Sequence, residues 1–75
     1  MLKEYRLRKN MSREKLEELT NLDRKTIFRI ENDINIPLLD SFAKMVYALE
    51  LTDDEIATEV KKTIKKEIKE KVTEE

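Results

Sequence analysis

Neither cysteine nor histidine occurs in the 75 residues. Their absence excludes disulfides, zinc-finger chemistry and any thiol or imidazole catalyst. Glycine is also absent, and proline occurs once. A chain with so few breakers, and with 44% charged residues drawn mostly from Glu, Lys and Arg, favours helix. No apolar run approaches the roughly 20 residues of a membrane span. The opening MLKEYRLRKN lacks the apolar stretch of a signal peptide, which implies a cytoplasmic protein. A chain of this length makes one small domain, burying only about 60% of its unfolded surface, so a good core or a partner chain is needed.

The net charge is −1, but it is unevenly spread. Residues 1–31 carry nine basic and six acidic side chains, residues 32–59 one and seven, and residues 60–75 six and four. For nucleic acid, a basic face matters more than the total.

Local signals mark five helices. Leu2 and Tyr5 stand on one side of a short helix to about Lys9, and Asn10 suits a left-handed end. Ser12 is an N-cap for a run to Thr20 that carries Leu16 and Leu19, with Asn21 as the next left-handed residue. Asp23 caps Arg24 to Glu31, where Ile27 and Ile30 share a face. Two helices of about two turns each, joined by a few residues, make a helix-turn-helix. NDINIPL, Asn32 to Leu38, reads as a loop. Leu39, Phe42, Val46 and Leu49 recur at intervals of three and four, with Ala43 and Met45 beside them, so this helix is expected to form the core. Tyr5, Phe42 and Tyr47 read as packing residues. Thr52-Asp53-Asp54-Glu55 is a capping box. The last helix runs toward Val72 with Ile56, Val60, Ile64, Ile68 and Val72 each four apart. At 100° per residue such a stripe drifts about 40° per step, so it winds round the helix. Ile56 and Val60 are expected to pack on the domain, leaving Ile64, Ile68 and Val72 for a partner.

The stretch SREKLEELTNLDRKTIFRIEN, with PLLDSFAKMVYALELTDDEI after it, resembles the Cro/phage-repressor (XRE) family of helix-turn-helix proteins. Met11-Ser12, Leu16, Thr26-Ile27, Arg29-Ile30-Glu31-Asn32, Pro37, Leu39, Ala48-Leu49 and Thr52 stand at family spacing. The resemblance runs from Leu2 to Ile56. It implies an all-α, compact five-helix, lambda-repressor-like DNA-binding domain over residues 1–60. Residues 61–75 would form a charged C-terminal helical extension.

The family usually places glycine where Asn10, Asn21, Asp33 and Glu50 stand here. Asn and Asp tolerate positive φ; Glu50 is expected to fit less easily and to disturb its corner. The family has alanine in place of Glu17, so that carboxylate is expected to point outward.

The resemblance also assigns roles. With Ile27 and Ile30 facing the core, Arg24, Lys25, Phe28 and Arg29 face the bases in the major groove. Arg can take two hydrogen bonds to guanine, and Phe28 suits a thymine methyl. Ser12, Arg13 and Asn32 fall at phosphate-contacting positions. Arg6 and Glu31 match an internal ion pair between helices 1 and 3. Apart from the resemblance, Arg8 and Lys9 read as surface charges that add a diffuse field, and the Lys61-Lys62 and Lys65-Lys66 pairs read as a solvated face balanced by Glu67 and Glu70, with contact to DNA backbone as the alternative. Ile34, Ile36 and Leu38, with Ile64 and Ile68, would form a dimer surface.

The function implied is a sequence-specific transcriptional regulator, of repressor type, binding a two-fold double-stranded DNA operator as a homodimer. The pattern implies no cofactor, no metal and no enzymatic activity, since the carboxylates lie on helical faces without a pocket-forming pattern. The alternative is an antitoxin-like module. It would bind a protein partner through the acidic middle, Asp33 to Glu59, and the C-terminal helix.

Overall fold

Four residues with positive φ do what glycine usually does, and they set the path of the chain. They are Asn10 (53°), Asn21 (58°), Asp33 (56°) and Glu50 (54°). In the computed structural model, which describes residues 1–73 and side chains as far as Ile68, each ends a helix. The helices are α1 (Lys3–Arg8), α2 (Arg13–Thr20), α3 (Arg24–Glu31), α4 (Leu39–Leu49) and α5 (Asp53–Thr73). No strand occurs among the described residues.

Three of these ends are Schellman motifs, in which two crossed hydrogen bonds satisfy the last free carbonyls. After α1, Asn10 N–H reaches Leu7 O (3.0 Å) and Met11 N–H reaches Arg6 O (3.1 Å). After α3 the pairs are Asp33 to Ile30 (3.3 Å) and Ile34 to Arg29 (2.9 Å). After α4 they are Glu50 to Tyr47 (3.2 Å) and Leu51 to Val46 (3.2 Å). α2 ends on the simpler form, with Asn21 N–H on Glu17 O at 2.8 Å. Glu50 therefore makes a regular corner, contrary to the disturbance expected of it.

The helix starts are equally local. Ser12 Oγ accepts from Lys15 N–H (3.0 Å), and Asp23 Oδ1 accepts from Thr26 N–H (2.9 Å). Thr52 and Glu55 cap α5 reciprocally, at 3.2 and 2.9 Å. α4, after Leu38, starts without a side-chain cap, and so does α1. Leu2 sits at its start with φ 71° and no side-chain cap. A left-handed leucine costs about 1–2 kcal/mol. Leu2 is 2% exposed, and full burial of a leucine returns about 1.5–3 kcal/mol. Burial is thus large enough to hold that conformation.

α2 packs against both α3 and α4. Leu16 from α2, Ile27 and Ile30 from α3, and Phe42, Met45, Ala48 and Leu49 from α4 form the core with Leu2. Thr20 is buried among them. Its hydroxyl donates to Leu16 O (2.6 Å) and accepts from Leu22 N–H (3.2 Å), so the buried hydroxyl is satisfied in both roles.

Two readings of α4 need correction. Leu39 and Tyr47 are 82% and 86% exposed. The buried face runs through Phe42, Met45, Ala48 and Leu49 rather than from Leu39, because at 100° per residue Leu39 falls roughly 110° from the centre of that face. Tyr47 is therefore not a packing residue. α5 needs one as well. Ile56 packs against the core, but Val60 is 39% exposed and Glu59 is buried. The drift of the four-residue stripe is the reason: after one step, the side facing the domain has passed to residue 59. Lys62 Nζ meets the Glu59 carboxylate at 3.2 Å. That contact raises the Lys62 pKa, chiefly through the close approach of the Glu59 carboxylate. α5 passes residue 60 without a break and runs to Thr73. The side chain of Val72 lies outside the described residues.

Candidate nucleic-acid interface

Ile27 and Ile30, at 0% and 2% exposure, fix the rotation of α3. With that side in the core, Arg24, Lys25, Phe28 and Arg29 are all exposed on the outside of the helix. Phe28 is 45% exposed, an uncommon surface position for a side chain of its size. Arg24 and Lys25 occupy the first turn, directly after the Asp23 cap. α2 brings a second helix start alongside. Ser12 caps it, and Arg13 is its exposed first residue.

The electrostatics of this face are readable at Asp23. Its carboxyl is held below the ordinary aspartate range, first by the hydrogen bonds from Thr26 and then by the fields of Arg29 and Lys25. Among the described residues, no ion pair engages Arg13, Lys25 or Arg29. Other cations are engaged. Arg8 lies near Glu4 (3.9 Å) and over the Tyr5 ring, and Lys15 lies near Glu18 (3.6 Å). Unpaired cations beside two capped helix N-termini suit the oxygens of a polyanion.

Asn32 lies at the far end of α3. Its Nδ2 donates to Phe28 O at 2.9 Å, which leaves its amide oxygen and second N–H for other partners. Ser12 Oγ is used by its own helix. Its remaining capacity is a rotatable hydroxyl hydrogen.

Beneath the face, Arg6 and Glu31 join α1 to α3. Arg6 Nε donates to Glu31 Oε2 at 2.6 Å, Nη2 to Oε1 at 3.3 Å and Nη1 to Met11 O at 2.8 Å. The two side chains are 7% and 2% exposed. They underpin α3 and take no part in its outer surface.

Glu17 does not point outward into solvent. It is 26% exposed and lies 3.8 Å from Arg24 Nε, linking the two helices of the motif. Sequence spacing gave no sign of this pair, because the residues lie on different helices whose crossing is set by the core.

The apolar surface residues divide. Ile36 and Ile64 come together on one apolar groove of about 200 Å³, with Pro37, Leu39 and Val60. Ile34 shares an adjoining, more polar cavity with Ile36. Leu38 (74% exposed) and Ile68 (56%) line neither. Leu39 and Val60 were not anticipated on this surface. Among the described residues, no group of acids is arranged to hold a metal ion, and no helix is long and apolar enough to cross a membrane.

Two short capped helices set by a common core, the second presenting a basic outer face, define a helix-turn-helix DNA-binding protein. A family model described as helix-turn-helix matches residues 2–56. The chain belongs to that family, the Cro/C1-type or XRE helix-turn-helix regulators, whose fold is all-α and lambda-repressor-like. Comparison with curated proteins and with solved structures returned no match. The matched span ends in the first turn of α5.

Proposed function

We propose that this helix-turn-helix regulator is a sequence-specific repressor that binds a two-fold operator as a homodimer. The observation that carries the reading is the outer face of α3. Arg24, Lys25, Phe28 and Arg29 are exposed there, while Ile27 and Ile30 anchor the opposite side. A helix of this size fits the major groove, with its first turn nearest the base edges. Arg24 and Lys25 reach guanine acceptors, Arg29 the next base or a phosphate, and Phe28 a thymine methyl. Arg13, Ser12, Asn32 and the start of α2 hold the phosphates and set register.

One such helix reads few base pairs, so useful specificity needs two. The exposed Ile36 and Ile64 on their common groove, with Ile34, Leu38 and Ile68 nearby, support a second copy as the partner. Residues 1–60 would bind DNA, and residues 61–75 would extend the dimer surface.

The same exposed isoleucines on α5 also favour a second reading, in which that helix binds a different protein in the manner of an antitoxin. Co-purification from the native host separates the two: a stoichiometric foreign partner on α5 favours the antitoxin.

The test of DNA reading is affinity for a duplex recovered from a random pool and for its scrambled form, at two salt concentrations. Arg24→Ala, Lys25→Ala and Arg29→Ala should each lose about 1–3 kcal/mol on the selected duplex only. Arg13→Ala should weaken both duplexes alike and lower the salt slope by about one unit. Equal losses on both duplexes from all four variants would reduce the face to a non-specific clamp.

A further inference from the structure

Glu17 stands in the last full turn of α2. Its carbonyl takes the Asn21 N–H that ends the helix. Its α2 neighbours Glu14 and Glu18 are exposed, but Glu17 is only 26% exposed and turns toward the opening turn of α3. There its Oε2 lies 3.8 Å from Nε of Arg24, whose side chain is 70% exposed. This distance is an ion pair and not a hydrogen bond. It joins the two helices of the motif at the place where the chain would meet a base edge.

A carboxylate in such a place opposes binding to phosphodiester unless it serves the complex, since like charges repel most where solvent is thin. The approach is through Nε, the guanidinium nitrogen nearest the stem. Arg recognises guanine with a fork of two N–H groups aimed at O6 and N7. A partner at Nε leaves the two outer nitrogens for that fork. It also removes part of the rotamer freedom that a long exposed Arg would otherwise lose on binding.

We infer that Glu17 is a positioning residue for specificity: it holds Arg24 by its Nε end, so that the outer nitrogens meet a guanine. The inference rests on Arg24 reading a base. Two consequences follow. The half-site carries guanine at the Arg24 position. On duplexes without it, Arg24 stays with Glu17 and adds little phosphate affinity, so the acid lowers binding to wrong sequences more than to the right one.

The test uses the full chain and a duplex from the random-pool selection, with the guanine assigned to Arg24 replaced by each other base. Glu17→Ala, Glu17→Gln, Arg24→Ala and the double variant are compared with the parent. Glu17→Ala should lower discrimination at that one base pair roughly tenfold while raising affinity for scrambled DNA. Glu17→Gln, which keeps a polar oxygen of the same reach near Nε but loses the charge of the pair, should keep only a minor part of the discrimination. In the Arg24→Ala background, Glu17→Ala should change nothing further at that position. A purely structural role would move the thermal midpoint and leave the base preference intact, so unfolding curves are run on the same samples.

Three outcomes overturn the inference. If Glu17→Ala shifts all duplexes equally, the acid is only a repelling charge. If its effect persists without Arg24, Glu17 itself reads a base, such as a cytosine amino group. If Arg24→Ala changes preference at no position, Arg24 is not a base contact, and the positioning role falls with it.

Discussion

Arg6 reaches from α1 to grip Glu31 at the end of α3 through two nitrogens, with both side chains nearly closed to solvent. This pair ties the first helix to the helix proposed to read DNA. Its third bond, to Met11 O, also holds the turn that leads into α2. Removing one partner strands the other in the interior. Arg6→Ala or Glu31→Ala should each cost about 3–5 kcal/mol. Replacing both with apolar residues of similar volume should cost much less. Chemical denaturation of the three variants checks this. Single-variant losses under 1 kcal/mol would mean that the pair is merely tolerated.

The cap of α3 gives a pH dependence. Hydrogen bonds from Thr26, aided by Arg29 and Lys25, hold the Asp23 carboxyl below its ordinary range. A lowered folded-state value means that this contribution is complete above the ordinary aspartate value of about 4. It is lost as pH falls through the lower, folded-state value. Asp23→Asn should keep most of the cap at neutral pH and flatten the acid side of the stability curve. Asp23→Ala should lower the melting midpoint at neutral pH. Thermal melts from pH 7 down to pH 2 read both, and identical acid limbs for parent and Asp23→Asn would remove Asp23 from the acid transition.

Glu50 ends α4 in a left-handed conformation at φ 54° without asparagine's tolerance for it. Glu50→Gly should therefore stabilise the fold, by roughly 1 kcal/mol. Leu2→Gly, at a similar φ of 71°, should destabilise it, because Leu2 fills core space. Opposite signs from two positive-φ positions are the expected result. A destabilising Glu50→Gly would mean that the Glu50 side chain makes a contribution larger than the strain.

These helix ends also indicate what a sequence reading reaches. Ser12, Asp23, Thr52 and Glu55 act on groups within a few residues, as do Asn10 and Asn21, so local chemistry locates them; Asp33 and Glu50 were placed only by the resemblance. Membership of the helix-turn-helix class was legible for the same reason, since the motif is two capped helices and a short turn. Leu39, Tyr47 and Glu59 were misplaced or missed because burial depends on which neighbour covers which turn. Hydrophobic periodicity finds a face but not the residue at which that face gains a cover. On α5 the isoleucines drew the reading along the stripe, while exposure rises from Val60 (39%) through Ile64 (52%) to Ile68 (56%) as the stripe winds away. The Glu17–Arg24 pair needs the crossing of two helices, which no spacing within one helix encodes.

The proposed dimer surface makes its own prediction. Ile64 is 52% exposed on the apolar groove, so Ile64→Lys should leave the fold intact and place a charge between the two copies. Sedimentation should show the parent at twice the chain mass at micromolar concentration and the variant at the chain mass. Affinity for a two-fold operator should fall about a hundredfold or more once the half-sites are no longer linked. A parent that sediments as a monomer well above micromolar concentration would contradict this.

In the proposed function, the outer face of α3 reads double-stranded DNA by sequence. This reading is tested most directly by selecting bound duplexes from a random pool with the full chain and sequencing them, in parallel with Arg24→Ala. The parent should enrich a two-fold site with half-sites whose centres lie about one helical turn or a multiple of it apart. Arg24→Ala should recover the same site with the preference relaxed at one base pair in each half. Recovery of no motif by the parent, or of the same undiminished motif by both proteins, would contradict it.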